Sequence, residues 1–423
     1  MTRFTAITLS LIAAICLATS SSSAQTYTVI HSFTGPDGAT PLAGLAIDRS
    51  GNLYGTTLSG GNQTTQCPEV GCGTVFRLSH AGTGWVLSDL YKFSGGDGFA
   101  PQATLTFGPD GTLYGTTGYG GSGGEGTVFN LRPPASICRS FTCPWSETIL
   151  FPFGFGTGYY PTGDITFDSH GNIYGTTRVG GITRLCEGIG CGTVYQLVRS
   201  GGSWTENILY EFDDGEDGQY PNSGVVLDGA GNLYGTAPQS AFGHGLVFEM
   251  TPSGSGWSFN VLNDFQGGTG GQHPWGGLIF DAAGNLYGAT SDTQPGQGGT
   301  VFELSPLGAS WSYNILTILP GSDSSGLNGP WAKLVMDSHG NLYGTTVAEG
   351  AFGYGNVFKL TPAQGGWTYT SLYDFTGQGD GKYPYSALVL DANGNLYGTT
   401  EGGGLAGPQC VPYYCGVVFE ITP

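Results

Sequence analysis

Short apolar segments alternate with glycine-rich polar turns along the chain, and four such segments recur in a fixed order. The first is a brief apolar run, as in residues 44–47 or 225–227. The second reads Asn-Leu-Tyr-Gly-Thr-Thr, the third Gly-Thr-Val-Phe-x-Leu as in residues 73–78, and the fourth runs from tryptophan to phenylalanine as in residues 204–212. Their alternation, their β-branched and aromatic residues and the flanking glycines predict four strands, here called a, b, c and d.

This four-strand unit occurs seven times. The tyrosines of strand b repeat every 53 to 60 residues, at Tyr54, Tyr114, Tyr174, Tyr234, Tyr287, Tyr343 and Tyr397. A proline precedes each tyrosine by 13 residues, at Pro41, Pro101, Pro161, Pro221, Pro274, Pro330 and Pro384. An aspartate precedes the tyrosine by six residues in every unit except the second, which has Gly108. The resulting Asp-x-x-Gly sequence predicts a tight a–b turn, because aspartate accepts hydrogen bonds from turn amides and glycine adopts positive φ.

Four antiparallel strands repeated seven times predict an all-β fold, a seven-bladed β-propeller formed by residues 25–423 as a single domain. The seventh unit ends after strand c, whereas residues 26–33 form a strand that no a, b or c precedes. These residues align with strand d of the sixth unit. We therefore expect residues 26–33 to complete blade 7 and close the ring. The alternative is an open solenoid, which needs capping repeats that neither end of the chain resembles.

The repeat Gly-Asn-Leu-Tyr-Gly-Thr-Thr, followed by Gly-Gly and Gly-Thr-Val-Phe-x-Leu, resembles the GloVer tandem repeat of exported bacterial proteins. The resemblance covers nearly all of residues 26–423 and implies an exported setting. The hairpin Asp-x-x-Gly-Asn-Leu-Tyr is also similar to that of the NHL and gluconolactonase-like propellers, although this likeness is confined to strands a and b.

Composition and charge narrow the function classes. Glycine supplies 78 of 423 residues and charged residues only 10%, which excludes a mostly helical protein, while 39% apolar residues exclude simple disorder. The net charge of −19, from 12 basic and 31 acidic residues, makes nucleic acid an unsuitable partner. One interpretation of this negative charge is that it keeps the protein soluble. The alternative interpretation is affinity for cations such as calcium.

Residues 1–24 are typical of a secretory signal peptide. Arg3 precedes the apolar stretch from Leu9 to Ala18, and small residues lead to a cleavage site after Ala24. That stretch is too short to span a membrane. We expect an exported monomer, periplasmic or extracellular, with no membrane span.

Eight cysteines follow the signal segment in four pairs, each with four intervening residues. The pairs are Cys67 with Cys72, Cys138 with Cys143, Cys186 with Cys191, and Cys410 with Cys415. The even count, uniform spacing and export predict four local disulfides, each in a loop longer than its counterparts in other units. A zinc site made by two such pairs is the alternative.

The candidate ligand-binding residues lie around the repeat prolines, on the propeller face shared by the b–c and d–a loops. Aspartates occur four residues before four prolines, and aromatic residues flank five of the seven prolines. The candidates are Asp37, Asp97, Asp217, Asp380, Tyr160, Tyr220, Tyr383, Trp275 and Trp331. Aromatic faces and carboxylates near a channel mouth suit sugars. Ordinary turn chemistry and packing are the alternative interpretation.

Metal and catalytic signals are weaker. Asp213, Asp214, Glu216 and Asp217 form the densest acidic cluster, on a glycine-rich loop, and suit calcium, with a solvated loop as the alternative. The Gly-x-Ser-x-Gly match at 120–124 lacks the strand–turn–helix context of a nucleophile elbow. We expect no cofactor other than calcium.

Three functions remain open at the level of sequence. The first is a non-catalytic exported propeller that binds a glycan or a partner protein. The second is a secreted enzyme acting on carbohydrate or lactone, and the third is a structural cell-surface protein. Repetition in all seven units without a singular catalytic motif favours the first.

Overall fold

Seven antiparallel sheets of four strands stand around a common axis, which confirms the predicted seven-bladed propeller. The computed structural model describes residues 25–134, 145–154, 156–181, 185–213, 215–254, 256–293, 297–308, 310–321, 329–406, 410 and 415–422. The predicted signal peptide lies outside these ranges. Within them, no helix has the length and apolar character needed to cross a bilayer.

Each blade runs from a two-residue inner strand a to a long outer strand d. Blades 1 and 2 comprise β2 (Ala46–Ile47), β3 (Leu53–Thr57), β4 (Thr74–Ala81) and β5 (Gly84–Lys92), then β6 (Thr106–Phe107), β7 (Leu113–Thr117), β8 (Thr127–Arg132) and β9 (Ser146–Pro152). Blades 3 and 4 comprise β10 (Thr166–Phe167), β11 (Ile173–Thr177), β12 (Thr193–Ser200) and β13 (Ser203–Glu211), then β14 (Val226–Leu227), β15 (Leu233–Ala237), β16 (Leu246–Ser253) and β17 (Gly256–Asp264). Blades 5 and 6 comprise β18 (Ile279–Phe280), β19 (Leu286–Ala289), β20 (Thr300–Leu307) and β21 (Ser310–Ile318), then β22 (Val335–Met336), β23 (Leu342–Thr346), β24 (Asn356–Ala363) and β25 (Gly366–Asp374).

Blade 7 joins the two ends of the chain. It comprises β26 (Val389–Leu390), β27 (Leu396–Thr399), β28 (Val417–Thr422) and, as its outer strand, β1 (Thr26–Ser32). The β1–β28 pairing shifts register between Val29 and His31, and strands c and d shift register in the other six blades as well. Residues 26–32 are therefore a true strand d, and the predicted closure of the ring is confirmed.

Buried apolar side chains fill the gaps between neighbouring blades. The described residues form seven such clusters, one at each blade junction, including that between blades 7 and 1. At the junction of blades 1 and 2, Phe93 meets Phe129 edge to face with ring centroids 5.3 Å apart. Both rings are fully buried, and burial of one such side chain contributes about 1.5–3 kcal/mol. The phenylalanine that follows strand d thus joins six of the seven blades to the next, and Leu319 takes its place in blade 5.

The repeat prolines have a packing role that explains their fixed spacing. The glycine before strand c touches the proline of the following blade, and a Cβ added at Gly245 would lie 2.6 Å from the Pro274 Cδ atom. Nearby, the Thr236 hydroxyl donates to the Gly276 carbonyl across the same junction, at 3.0 Å. In the same way, the Thr399 hydroxyl of blade 7 donates to the Ala43 carbonyl of blade 1 at 3.0 Å. Glycine, proline and threonine therefore connect the inner ends of adjacent blades.

The a–b turns follow the predicted chemistry. In blade 4, Asp228 accepts the backbone N–H groups of Ala230 and Asn232 at 2.8 Å each, and the Tyr234 hydroxyl at 3.2 Å. In blade 2, where Gly108 stands in place of this aspartate, the carboxylate is supplied two residues later by Asp110. There Asp110 accepts the Tyr114 hydroxyl at 3.2 Å. The turn thus keeps a carboxylate partner for the tyrosine in every blade.

Three of the four predicted disulfides lie among the described residues and are confirmed. They join Cys67 to Cys72, Cys186 to Cys191, and Cys410 to Cys415, with Cα atoms 5.3, 5.3 and 4.7 Å apart. All three lie in b–c loops. The fourth predicted disulfide would join Cys138 to Cys143. Both of these cysteines lie outside the described residues, so the bond between Cys138 and Cys143 stays a prediction.

The b–c and d–a loops share one face of the ring, as expected. Each b–c loop approaches the neighbouring d–a loop, as the isolated β-bridge between Gln219 and Gln239 shows. The three confirmed disulfides therefore lie on the face where the candidate ligand-binding residues were predicted.

Candidate functional site

A cavity of 440 Å³ occupies the centre of the ring, and all seven blades contribute to its wall. The residue directly after each repeat proline lies on this wall. The seven residues are Leu42, Gln102, Thr162, Asn222, Trp275, Trp331 and Tyr385. One backbone position, repeated around the axis, therefore presents seven side chains of different chemistry to a single space.

Blades 5 to 7 form an aromatic wall in this central cavity. The rings of Trp275 and Trp331 are stacked, with centroids 4.6 Å apart and an interplanar angle of 2°. Tyr385 meets Trp331 edge to face at 5.3 Å. Trp275 is only 8% exposed, and its buried indole N–H has no acceptor among the described residues. The wall thus combines flat apolar surface with a buried donor that has no partner in the described part of the chain.

Blades 2 to 4 form a polar wall. The Gln102 side-chain amide donates to the Tyr160 hydroxyl at 3.0 Å, and the Thr162 hydroxyl donates to the Asn222 side-chain oxygen at 3.1 Å. Amide and hydroxyl groups both donate and accept hydrogen bonds. A ligand in the central cavity would meet aromatic faces on one side and these polar groups on the other.

An ion pair crosses the central cavity between blades 3 and 6. The Lys333 ammonium donates to Asp164 Oδ2 at 2.6 Å, and the backbone N–H of Thr104 donates to Asp164 Oδ1 at 2.8 Å. Both charged residues occupy the third position after a repeat proline. Glycine occupies that position in blades 1, 4 and 5, which leaves room for the two side chains to meet across the axis.

Two further charged residues occupy another equivalent position, the fourth after the repeat tyrosine. In blade 3 it is Arg178, whose guanidinium carbon lies 6.0 Å from the Tyr160 ring centroid and 5.9 Å from that of Trp275. In blade 7 it is Glu401. Burial raises the pKa of the Glu401 carboxyl, against the opposing effect of Lys382.

A second cavity, of 340 Å³, opens beside the first on the face of the b–c and d–a loops. Its wall includes the aromatic residues Tyr119, Tyr159, Tyr160 and Tyr220, together with Ile189 and Glu125. Tyr119 packs on Tyr160 with centroids 4.7 Å apart. Arg178 lines both cavities, so the central cavity and this aromatic cleft meet at its side chain.

The residue before each repeat proline has an unusual backbone conformation. Six of the seven have positive φ, between 54° and 63°: Thr40, Ala100, Tyr160, Tyr220, His273 and Tyr383. This region is costly for side chains larger than glycine. The backbone N–H of Tyr220 donates to the Cys191 carbonyl at 2.8 Å, and that of Tyr383 donates to the Tyr354 carbonyl at 2.9 Å. The conformation belongs to the repeat, whereas the side chain varies between blades.

The predicted ligand-binding residues therefore separate into two groups. Trp275 and Trp331 line the central cavity, while Tyr160 and Tyr220 line the aromatic cleft. Tyr383 packs near Tyr354, with ring centroids 6.0 Å apart. The sequence analysis missed the polar and charged wall residues, although their fixed offsets from the repeat proline and tyrosine would have indicated them.

The four predicted aspartates form the second group, and each closes its own d–a turn. Asp97 accepts the Ser94 backbone N–H at 2.8 Å and the Tyr91 hydroxyl at 2.6 Å. Asp217 and Asp380 accept tyrosine hydroxyls in the same way. Although burial opposes ionisation, hydrogen bonds from His31 and Thr34 lower the pKa of Asp37 to about 2. The role of the four aspartates in ligand binding stays a prediction.

The acidic loop proposed for calcium is only partly described, since Asp214 lies outside the described residues. Asp213 and Glu216 are exposed. Burial, and then the neighbouring Asp213, raise the pKa of Asp217 to about 6. Among the described residues, no three His, Cys, Asp or Glu side chains are grouped as metal ligands. Calcium binding stays a prediction.

Comparisons with known proteins agree with the fold. The model of the Gloeobacter/Verrucomicrobia repeat matches residues 17–241, 141–306 and 228–423. No curated protein sequence matches the chain. A Lactobacillus plantarum protein is 14% identical over 82% of this chain and 88% of its own, with a TM-score of 0.50. A candidate 6-phosphogluconolactonase of Bacteroides uniformis is 13% identical over 88% of this chain and 99% of its own, also with a TM-score of 0.50. At these identities the likeness concerns the fold alone.

Proposed function

The chain belongs to the Gloeobacter/Verrucomicrobia repeat family, and from that premise we propose that it is an exported, non-catalytic binding module that holds a glycan in its central cavity. The repeats supply a rigid ring, and the side chains after the repeat prolines supply recognition. Export, to a periplasm or the cell exterior, is supported by the disulfides, because such bonds persist in oxidising compartments.

The observation that carries the glycan proposal is the division of the cavity wall. Trp275, Trp331 and Tyr385 lie on one side, and hydrogen-bonding side chains from blades 2 to 4 lie on the other. A sugar ring has an apolar face that suits an aromatic surface, and hydroxyls that donate and accept hydrogen bonds. The cavity volume of 440 Å³ falls within the usual range for small-molecule sites.

Binding without catalysis is supported by the state of the acidic groups. Asp164 is held by Lys333 and by a backbone amide, so both of its oxygens already have partners. Three of the d–a aspartates, Asp37, Asp97 and Asp380, likewise accept hydrogen bonds within their own turns. Carboxylates engaged in this way are poor nucleophiles and bases.

A glycan-array screen of the purified protein, with calcium and then with chelator, tests the proposal. We expect binding that Trp331→Ala abolishes and that Trp204→Ala retains, because Trp204 lies on the outer strand β13, far from the cavity wall. Binding that the chelator removes would add calcium to the proposal. Absence of binding to every glycan would contradict it and favour a protein partner or a structural surface role.

A second candidate is an enzyme acting on carbohydrate or lactone. It is favoured by Glu401, which lines the central cavity and whose raised pKa suits a general acid. Turnover on a panel of sugars and lactones that Glu401→Gln abolishes would support the enzyme. Binding without turnover by the unaltered protein would support the binding module instead.

A further inference from the structure

We infer that the ligand is an acidic oligosaccharide, and that Arg178 binds a carboxylate of one of its sugar units at the junction of the central cavity and the aromatic cleft. This inference rests on the proposed function and adds the ligand's charge and length to it. The chemical class is a uronate-containing glycan.

The first argument is the singularity of Arg178 within the repeat. The equivalent positions of the other blades hold Leu58, Gly118, Pro238, Ser291, Val347 and Glu401. The backbone there is regular, since the N–H of Arg178 donates to the Tyr160 carbonyl at 3.1 Å and that of Leu58 donates to the Thr40 carbonyl at 3.0 Å. The fold therefore does not require an arginine, and its presence needs another reason.

The second argument is the charge of Arg178. Among the described residues, none of the ion pairs involves its guanidinium, and no described acceptor takes a hydrogen bond from it. The other cation on the central wall, Lys333, is neutralised by Asp164 at 2.6 Å. A protein with a net charge of −19 thus keeps at its central cavity a guanidinium that forms no ion pair with any described carboxylate. Guanidinium donors match a carboxylate in bidentate geometry.

The third argument is the position of Arg178 between two aromatic surfaces. Its guanidinium lies about equally far from the rings of Tyr160 and Trp275, at 6.0 and 5.9 Å. Those rings belong to the walls of different cavities. A carboxylate bound at Arg178 would therefore place one neighbouring sugar unit beside Trp275 and another beside Tyr160. A chain of several units uses both cavities, whereas a single sugar uses one.

Calorimetry with tetragalacturonate and with its fully methyl-esterified form tests the inference, because the two probes differ in charge and share the sugar chain. We expect the acid to bind at least tenfold more tightly than the ester at low salt, and added salt to weaken the acid alone. Arg178→Gln should weaken the acid about tenfold or more and leave the ester unchanged, while Arg178→Lys should give an intermediate loss. Arg49→Gln, at an exposed a–b turn on the opposite face, is the matched charge control.

The outcomes separate this inference from the proposed function. Equal affinity for the acid and the ester, or an Arg178→Gln variant that binds the acid with unchanged affinity, would contradict the inference of an acidic ligand. Either result would leave the proposal of a glycan site standing. Failure of both probes to bind would also contradict the inference of an acidic ligand, and the glycan array then decides the proposed function independently. Equal affinity for monogalacturonate and tetragalacturonate would overturn the extended mode across two cavities.

Discussion

Replacing the glycine before strand c tests whether contact between blades, and not backbone conformation alone, fixes this residue. Gly245 and Gly231 belong to the same blade and have nearly the same φ, +83° and +88°. They differ in surroundings. A Cβ at Gly245 would lie 2.6 Å from both the Ala237 carbonyl oxygen and the Pro274 Cδ atom, whereas a Cβ at Gly231 would meet nothing within 4 Å.

The magnitudes follow from these two environments. Alanine in the left-handed region costs about 1–2 kcal/mol of folding free energy, and both variants bear this cost. At Gly245 the added methyl group must also displace backbone and a proline ring in a close-packed junction, which costs about 1–3 kcal/mol more. We therefore expect Gly231→Ala to lose about 1–2 kcal/mol of stability and Gly245→Ala about 2–5 kcal/mol.

Urea denaturation followed by tryptophan fluorescence measures the two losses side by side. The double variant Gly245→Ala/Pro274→Ala should recover part of the loss, because alanine has no Cδ atom. Gly245→Ala should also weaken ligand binding, since Trp275 directly follows the displaced proline. Equal losses in the two single variants, or no recovery in the double variant, would refute the packing explanation of the glycine–proline repeat.

Three further predictions concern pH and covalent structure. Although burial opposes ionisation, turn hydrogen bonds hold the pKa of Asp168 below its ordinary value of 3.8. The ionised carboxylate therefore stabilises the fold fully above pH 3.8, and this stabilisation is lost as the pH falls through the pKa of the folded state. Asp168→Asn should flatten this part of an acid-unfolding curve. Burial raises the pKa of Glu349 from 4.5 to about 8. Between these values the native state binds a proton that the unfolded state releases, so the free energy of unfolding should fall as the pH rises from 4.5 to 8. Glu349→Gln should therefore raise Tm more at pH 8 than at pH 5. Replacing Cys186 and Cys191 by serine should cost about 2 kcal/mol in urea denaturation and weaken binding measured by calorimetry, because the Cys191 carbonyl holds Tyr220.

The fold could be predicted from the sequence because its determinants are local and repeated. Each unit carries its own strand, turn and junction residues, and the missing strand d of the last unit identified residues 26–33 as the closing strand. Strand a was expected over residues 44–47 but pairs only at Ala46–Ile47, and Gly44 lies on the wall of the central cavity. Periodicity indicates where an apolar run lies and not which of its residues pair.

The site could be predicted only in part, because its contacts join blades that are distant in sequence. Trp275 and Trp331 were identified because they follow repeat prolines. The pairing of Asp164 with Lys333 spans 169 residues, and no local pattern indicates it. The d–a aspartates illustrate the opposite limit, since the same spacing that suggested a ligand site also serves turns that each unit needs for itself.

The closure of blade 7 also sets the order in which the molecule can be completed. The pairing of Thr26 with Thr422 joins residues 396 positions apart, so the first strand of the ring is synthesised well before its partner. At about 5–20 residues per second this interval is about 20–80 s. Blades 1 to 6 consist of neighbouring hairpins and need no distant strand, while β1 keeps an unpaired edge open to other chains until β28 pairs with it. We therefore expect the pairing of β1 with β28 to be the slowest step of ring formation and the one most sensitive to aggregation.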